Sequence, residues 1–366
     1  MKILYYFKNL NTMMFQWQKY HIFDELRMHG VEIEVISPLD YPTIDEANAQ
    51  LLKRAKGTHY DMFLTSFPED VLYIDTLQEI KRLGIATVLF CPDNLTVPFR
   101  HKGIGKYFDL VWLTAQETEY LFKRWGCRTV FLPYAANPNF LKPVYGREEI
   151  LRVGFVGTPH GSRIDRINTL IAGGVPVTIH SAQASVDTKL LKEKPSKYLD
   201  VLMDEMKYPI GRKLAAAAVR DKLFHRELND PHGVMLREEP IQWENLAEMN
   251  CRYALVLSFT DAYSTGVLKH PVPIVNLRNF EIPMSGGIQY TTYTEELASY
   301  FEPDKEIILA RNKEEYVDKA KFYLRPDNEK LRSEIRIAAR KRAEAEHTWY
   351  ARFSIIFELL NLPMRG

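Results

Sequence analysis

Short apolar runs alternate with longer segments of helical spacing along the first half of the chain. Runs with so little polar alternation are typical of strands buried on both faces of a parallel sheet. Segments 15–28 and 71–83 place apolar side chains at helical intervals, and the alternation predicts a doubly wound α/β domain. The predicted strands are residues 3–7, 33–36, 60–65, 86–90, 110–113 and 129–132.

The pattern breaks near residue 133 and then begins again. Pro133, Pro138 and Pro143 follow one another closely, with asparagines and Gly146 around them, which is typical of an interdomain linker. Residues 183–231 exceed a usual βα connection, and amphipathic stretches there predict a helical insertion. The second half predicts strands 153–156, 175–179, 234–236, 254–259, 288–291 and 307–309, and helices 243–250, 313–324 and 329–346.

A length of 366 residues and two rounds of alternation predict two domains. We expect two Rossmann-like doubly wound domains that face a central cleft, with boundaries at residues 1–140 and 150–346. A short aromatic-rich helix is predicted at 347–360. Ligands of such domains bind at the carboxyl ends of the strands, where loops converge and helix N-termini point inward.

Charge and cysteine content exclude several classes of protein. The chain has 48 basic and 47 acidic residues, so no sequence-wide field attracts nucleic acid or an anionic membrane. No apolar run of about 18 residues occurs, and any membrane contact is expected to be peripheral. Cys91, Cys127 and Cys251 are widely spaced without a CxxC pair, which predicts no zinc site, no disulfide framework and a cytoplasmic location.

A glycine-containing turn at residues 156–163 follows a predicted strand and precedes a predicted helix. Gly157 and Gly161 would let backbone N–H groups approach a phosphate, Thr158 lies between them, and Arg163 would neutralise the charge. The turn is neither a GxGxxG nor a Walker motif, so an ordinary βα turn is an equally good interpretation. His160 lies in the same turn and would contact donor or acceptor, although exposed loop histidines are common.

Arg278 and Glu281 are three residues apart on a predicted short helix and therefore share one face. A carboxylate accepts hydrogen bonds from both hydroxyls of a ribose, and a guanidinium suits a diphosphate. The alternative is a surface ion pair, which contributes little to stability.

Residues 278–287, from Arg278 and Glu281 through Pro283 to Gly286 and Gly287, resemble the R-x-F-E core of CgeB-like (spore maturation protein-like) glycosyltransferases. Residues 296–307 and 346–352 match as well, and the resemblance runs from about 253 to 360. It implies the GT-B architecture and a relation to the family-4, or group 1, glycosyltransferases. In that architecture the N-terminal domain takes the acceptor, and the C-terminal domain takes the donor. The final helix crosses back to the N-terminal domain.

The resemblance also implies roles for individual residues. Glu281 would hold the donor ribose, Arg278 and the Gly157 turn would lie near the diphosphate, and the base would sit against residues 237–240. Family-4 enzymes often carry two glutamates separated by seven residues, of which the first lies near the donor sugar. Pro273 occupies that first position here, so contacts to the sugar are not carried over. The predicted donor-binding residues are Gly157, Thr158, Arg163, Arg237, Ser258, Lys269, Arg278, Glu281, Gly286 and Gly287.

The expected mechanism needs no metal and no other cofactor. The sequence has no Asp-x-Asp, so Arg163, Arg278 and Lys269 are predicted to stabilise the leaving nucleoside diphosphate. Asp93 follows the fourth strand and would serve as general base if the enzyme inverts, or would cap the next element. His160 is the second catalytic candidate. If the enzyme retains configuration, the leaving phosphate itself assists and no protein base is needed.

The sequence therefore predicts a glycosyltransferase that uses a nucleotide-diphosphate sugar and an unidentified acceptor, as a monomer or homodimer. A catalytically inactive protein of the same fold that binds the nucleotide or sugar is the alternative. An NAD-dependent oxidoreductase would need glycines after the first strand, where residues 8–11 have none. His21 lies among aromatics at helical spacing and is interpreted as a structural residue.

Overall fold

The computed structural model describes residues 1–10, 13–144, 146–181, 203–224 and 226–363. The chain divides into two compact units. One unit comprises Met1–Phe140 together with Thr348–Gly366, and the other comprises Leu141–His347.

The N-terminal unit is built on a six-stranded parallel sheet with the order β2-β1-β3-β4-β5-β6. In this register Tyr5 of β1 lies between Val35 of β2 and Leu64 of β3. Strands β3 and β5 are buried at every position, as expected for strands covered on both faces. The strands are β1 (Lys2–Tyr6), β2 (Glu32–Ile36), β3 (Met62–Thr65), β4 (Ala86–Cys91), β5 (Leu110–Leu113) and β6 (Thr129–Phe131).

Helices cover this sheet, and their ends follow the expected capping chemistry. Thr43 precedes α3, and its hydroxyl accepts the backbone N–H of Glu46 at 3.1 Å. The α-helices are α1 (Met13–Gln18), α2 (Asp24–Met28), α3 (Ile44–Gly57), α4 (Ile74–Arg82) and α5 (Glu119–Arg124), with 3-10 turns at Pro38–Asp40, Pro98–His101, Gly105–Tyr107 and Gln116–Thr118.

The predicted helix 15–28 differs from expectation, since a π-helical turn at Lys19–Phe23 separates α1 from α2. This turn buries His21, which is fully inaccessible. Its Nδ1 accepts the backbone N–H of Asn137 at 3.2 Å, and its ring meets Phe140 edge-on. The interpretation of His21 as a structural residue is confirmed.

The C-terminal unit repeats the architecture with the strand order β12-β11-β10-β7-β8-β9, again all parallel. The chain starts in the centre at β7, runs outward to β9, and returns to β10 on the other side of β7. This is the strand order of dinucleotide-binding domains, and the switch point lies between β7 and β10. The strands are β7 (Ile150–Val156), β8 (Val177–His180), β9 (Met235–Glu238), β10 (Tyr253–Leu257), β11 (Gln289–Thr292) and β12 (Ile308–Ala310).

The helices of this unit include the two long ones predicted near its end, which are confirmed as α11 and α12. Asn312 caps α11 by accepting the N–H of Glu315 at 2.8 Å. The helices are α6 (Ser162–Ala172), α7 (Pro209–Leu223), α8 (Leu246–Arg252), α9 (Arg278–Met284), α10 (Glu295–Tyr300), α11 (Lys313–Tyr323) and α12 (Glu329–Glu346), with 3-10 turns at Trp243–Asn245, Thr265–Val267 and Pro326–Asn328.

The predicted insertion at 183–231 is described in part. Helix α7 lies within it, whereas residues 182–202 and 225 lie outside the described residues. Among the described helices, none combines the length and apolar content needed to cross a bilayer. Cys91 and Cys127 are buried and act as small apolar side chains, whereas the half-buried Cys251 donates its thiol to the carbonyl of Ser285 at 2.7 Å.

The final helix, α13 (Trp349–Leu359), belongs to the N-terminal unit. The buried Glu25 carboxylate accepts the backbone N–H groups of Trp349 and Tyr350 at 3.1 and 3.0 Å, which satisfies the start of this helix. Arg352 donates from Nε to the carbonyl of Pro133 at 3.1 Å. The prediction of two Rossmann-like domains with a final helix that returns to the first is confirmed.

Candidate functional site

The switch point of the C-terminal sheet brings together the turn after β7 and the loop after β10. The turn leaves the strand at Gly157, whose φ is +145°, and Gly157 donates its N–H to the carbonyl of His180 at 2.9 Å. Loops that diverge on either side of a switch point leave a crevice at the carboxyl edge of the sheet. The predicted turn 156–163 therefore opens onto this crevice.

Gly161 precedes α6 and adopts φ +55°, a conformation that favours glycine. A Cβ atom at this position would lie 2.4 Å from Oγ of Ser264. Ser264 follows β10 and donates its hydroxyl to Asp221 of α7 at 2.9 Å. The first turn of α6 is thus packed tightly against the loop after β10, and α7 contacts the same loop through Asp221.

Arg163 lies in the first turn of α6 and points toward this crevice. Its Nη1 donates to the carbonyl of Thr158 at 3.3 Å, and its guanidinium lies 5.6 Å from the ring centre of Phe259. Burial lowers the pKa of Arg163, and the positive charge of Arg278 lowers it further. Two cations held close enough to repel each other create a local field that favours an anion.

Helix α9 carries the second half of the site. Asn276 accepts the backbone N–H of Arg278 at 3.0 Å and thereby fixes the start of the helix. One turn later, Glu281 Oε2 lies 3.2 Å from Arg278 Nη1. The Glu281 side chain is 2% exposed and the Arg278 side chain 30% exposed, so this is not a surface ion pair. The prediction that both residues share one helical face is confirmed.

A buried polar network supports α9 from beneath. Ser258 Oγ accepts hydrogen bonds from Gln289 Nε2 at 2.9 Å and from Asn279 Nδ2 at 3.3 Å. Asn279 in turn accepts the N–H of Asn276 at 2.8 Å. Ser258 was predicted to contact the donor, but it is buried and its hydroxyl serves this network. Asn276 and Asn279 were missed because only the folded chain brings them to Ser258.

Gly286 and Gly287 occupy a different position from the one expected. They end α9 by donating to the carbonyls of Pro283 and Ile282, and they precede β11, at the amino edge of the sheet. A Cβ on Gly287 would lie 2.7 Å from the Asn250 carbonyl, and one on Gly286 would lie 3.1 Å from Pro143. The expectation that they bind the donor is corrected, because their N–H groups cap the helix and their small size permits packing.

The remaining donor-binding candidates are exposed. Lys269 lies in the loop after β10, and Thr158 lies in the turn after β7. Arg237 is exposed on β9, which is the edge strand next to β8. His160 is also exposed to solvent. The protein atoms around its ring, together with the charge of Arg163, lower its pKa. All four lie on the carboxyl half of the sheet or in loops that leave it.

Asp93 lies in the N-terminal unit, in the turn after β4. Neighbouring protein raises the pKa of its carboxyl, and Arg100 opposes this rise, while one side of the residue stays exposed to solvent. Its backbone carbonyl accepts the N–H groups of Thr96 and Val97. Within the described part of the chain its carboxylate has no hydrogen-bond partner. The side chain therefore does not cap the following turn and is left for other chemistry. The adjacent Asn94 carries the structural bonds to Thr114 and Ala115.

Metal ligands are not clustered among the residues that the structure describes, where no group of three His, Cys, Asp or Glu side chains has suitable spacing. The charged groups that converge in the C-terminal unit are instead the two arginines and the carboxylate of Glu281.

Comparison with known proteins indicates the class of protein to which this fold and site correspond. Residues 212–358, which include α9, match the glycosyl transferase-like family model. Anabaena HepE in complex with UDP-glucose superposes with a TM-score of 0.57 at 13% identity, covering 98% of this chain and 99% of that one. An α-glucosyltransferase in complex with UDP-glucose and DNA has a TM-score of 0.63 at 12% identity, with 98% and 99% covered.

Sucrose-phosphate synthase from Thermosynechococcus elongatus shares the fold as well, with a TM-score of 0.53 at 12% identity and 98% of both chains covered. No curated protein sequence matched this chain. The family match and the fold together define an enzyme of the glycosyltransferase class with the GT-B architecture. The prediction of a transferase is confirmed, and its assignment to the CgeB-like subgroup stays a prediction.

Proposed function

We propose that the chain transfers a sugar from a nucleotide-diphosphate sugar to an acceptor hydroxyl, and that the C-terminal unit binds the donor. The observation that carries this proposal is the convergence of Arg163, Arg278 and the buried Glu281 at the switch point of the sheet. A diphosphate needs cations, and a ribose diol needs a fixed carboxylate. A nucleoside diphosphate carries both groups.

In the proposed complex, Glu281 accepts the hydroxyls of the ribose. Arg278 and Arg163 bind the diphosphate, and the positive end of the α6 dipole lies beside them. The base lies toward the loop after β9. That loop is two strands away from the Gly157 turn, a separation of about 10 Å at ordinary strand spacing. Complexes of Anabaena HepE with UDP and with UDP-glucose support this choice of ligand class.

Charge on the departing diphosphate would be stabilised by the two arginines, so we propose that turnover needs no divalent cation. Preorganised cations aimed at a developing negative charge are among the largest contributions to catalysis. Asp93 is proposed as the general base toward the acceptor hydroxyl, because its raised pKa and its free carboxylate suit proton removal. The acceptor class proposed is a glycan, protein or small molecule with a free hydroxyl.

Ligand-induced thermal stabilisation tests the donor site. The protein is screened against UDP, GDP, dTDP, ADP and CMP and against the matching nucleotide sugars. A ligand at about 100 times its Kd adds roughly 2.7 kcal/mol to the free energy of unfolding. We expect a selective shift with one nucleoside diphosphate and its sugars. The same shift should be lost in Glu281→Gln, which preserves the side-chain shape.

Glu314→Gln is the matched control, because Glu314 is exposed in the first turn of α11. It should keep the full shift. Release of the nucleoside diphosphate from the preferred donor then distinguishes a transferase from an inactive binding protein. The absence of any nucleotide-dependent shift in the wild-type protein would overturn the proposal.

A further inference from the structure

His180 ends β8 and connects the two loops between which the proposed nucleotide lies. Its backbone carbonyl accepts the N–H of Gly157 at 2.9 Å, in the turn assigned to the diphosphate. Its ring Nδ1 lies 3.1 Å from the carbonyl oxygen of Glu239, the first residue after β9. One residue therefore fixes the phosphate side through its backbone and the base side through its side chain.

The loop after β9 needs such an anchor. In the described sheet β9 pairs with β8 alone, and its residues Leu236, Arg237 and Glu238 are exposed. The amino end of β9 is held by Asp230, whose carboxylate accepts the N–H groups of Val234 and Met235 at 2.9 Å. At the carboxyl end the ring of His180 provides the corresponding bond.

Chemistry assigns the tautomer of this ring. A carbonyl oxygen can only accept, so Nδ1 of His180 carries the proton that it donates to Glu239. In the neutral ring Nε2 is then an acceptor, and Tyr253 Oη lies 2.6 Å from it. Burial raises the pKa of Tyr253, which keeps its hydroxyl protonated as a donor. Tyr253 thus sets the tautomer that lets His180 hold the loop.

Tyr253 is itself held firmly. Its ring lies across β7 at Gly154, where a Cβ atom would come within 2.3 Å of the ring carbon Cδ2. Its backbone carbonyl accepts Nη2 of Arg336 at 2.9 Å. The chain of contacts therefore runs from the centre of the sheet, over a glycine, to the loop at its edge.

We propose that His180 is a positioning residue that fixes the backbone of the loop after β9 relative to the Gly157 turn, and so sets the selectivity of the donor site for one nucleobase. The inference rests on the proposed donor site. Backbone N–H and C=O groups of such a loop read the polar edge of a base only when their position is fixed to within a fraction of an ångström. Selectivity among bases should therefore depend on the Nδ1–H bond to Glu239.

Two substitutions separate the two ring nitrogens. His180→Asn places an amide N–H near the position of Nδ1 and retains the bond to Glu239. His180→Gln places its amide near Nε2 and loses that bond. His232→Gln, an exposed histidine in the turn before β9, is the matched control. Kd values are measured by calorimetry for UDP, GDP, ADP and inorganic pyrophosphate, which has no base.

We expect the wild-type protein, His180→Asn and His232→Gln to share one base preference. Selectivity is the Kd for another nucleoside diphosphate divided by the Kd for the preferred one. In His180→Gln this ratio should fall by about tenfold, which corresponds to one lost hydrogen bond. Its Kd for pyrophosphate should stay within about twofold, because the bond to Gly157 is made by the backbone. A general loss of structure would weaken all ligands together.

The outcomes distinguish the two proposals. Failure of the wild-type protein to bind any nucleoside diphosphate refutes the donor site itself. Binding with a base preference that His180→Gln retains, or binding with no preference, refutes the role of His180 alone. If His180→Gln does not fold, Tyr253→Phe carries the test, because Nε2 then loses its hydroxyl donor, the ring is held less firmly against Glu239, and the same preference should weaken.

Discussion

Glu281 Oε2 lies 3.2 Å from Arg278 Nη1, and the Glu281 side chain is almost fully buried while that of Arg278 is half-buried. The arginine is therefore the more accessible member of the pair. The pair is proposed to have two functions, because the charges that stabilise α9 would also bind the donor.

This dual role predicts a specific pattern in a double-mutant cycle. Arg278→Ala leaves the buried carboxylate without this partner, and the free energy of unfolding should fall by about 1–3 kcal/mol. Arg278→Ala combined with Glu281→Ala should recover part of that loss, but nucleoside diphosphate affinity should stay low. Urea denaturation and calorimetry on the four proteins measure both quantities. Simple additivity of the two stability changes would show that the residues do not interact.

Removal of divalent cations tests the proposed role of the arginines. Turnover of the preferred donor should be unchanged by EDTA if Arg163 and Arg278 supply the positive charge at the diphosphate, as proposed. Arg163→Ala should lower kcat by at least about tenfold, and added Mg²⁺ should not restore it. Lys321→Ala, an exposed cation on α11, serves as the control. A loss of wild-type activity in EDTA that Mg²⁺ reverses would contradict metal-independent transfer.

Asp93 should affect activity and stability in opposite directions. Its folded-state pKa is raised, so the folded protein favours the protonated form, and stability falls as pH rises from the ordinary aspartate pKa through the raised one. Asp93→Asn should therefore keep or increase the free energy of unfolding at pH 7. If Asp93 is the base, kcat should drop by about 10²–10⁴ and lose its acidic limb. Asp70→Asn, an exposed aspartate, controls for charge.

Equal activity of Asp93→Asn and the wild-type protein would point to a retaining reaction in which the leaving phosphate assists. The configuration of the product, read by NMR, decides that point independently of the variant.

Glu25 provides a prediction on the stability of the N-terminal unit. Glu25→Ala removes the acceptor for two backbone N–H groups of α13 and should cost about 1–3 kcal/mol. Burial raises the pKa of Glu25 to about 7. Because the folded state binds this proton more tightly, the Glu25 contribution to stability should decline between about pH 4.3, the ordinary glutamate value, and pH 7.

Glu25→Gln keeps one acceptor oxygen without the charge. It should retain more stability than Glu25→Ala and should flatten the pH dependence in that window. Chemical denaturation at pH 4.5, 6 and 7.5 measures the differences. A pH profile of Glu25→Gln that parallels the wild-type profile would assign the titration to another group.

The central strands of the sheets were predictable because they are buried on both faces. Runs such as 110–113 and 86–90 needed no tertiary information, and every predicted strand appears among the described residues within a few positions. The π-helical turn at Lys19–Phe23 was not predictable, because helical and π-helical spacing differ too little over five residues to be separated by apolar positions alone.

The charged pair of the site could be predicted from the sequence, but the positions of its glycines relative to the sheet could not. Arg278 and Glu281 could be paired because a helix places residues three apart on one face. Gly161 and Gly286 look alike in sequence, yet one lies at the carboxyl edge of the sheet and the other caps a helix at the amino edge. His180 was missed because its value depends on Glu239 and Tyr253, which are distant in sequence.

The return of α13 to the N-terminal unit has a consequence for the order of events during synthesis. Residues 348–363 leave the ribosome only after the whole of 141–347. Trp349 and Phe353 pack against Trp112 with ring centres 5.9 and 5.3 Å apart, so the aromatic core of the first unit lacks these rings until then. The unit that is made first is therefore completed last, and translation couples its maturation to that of the C-terminal unit.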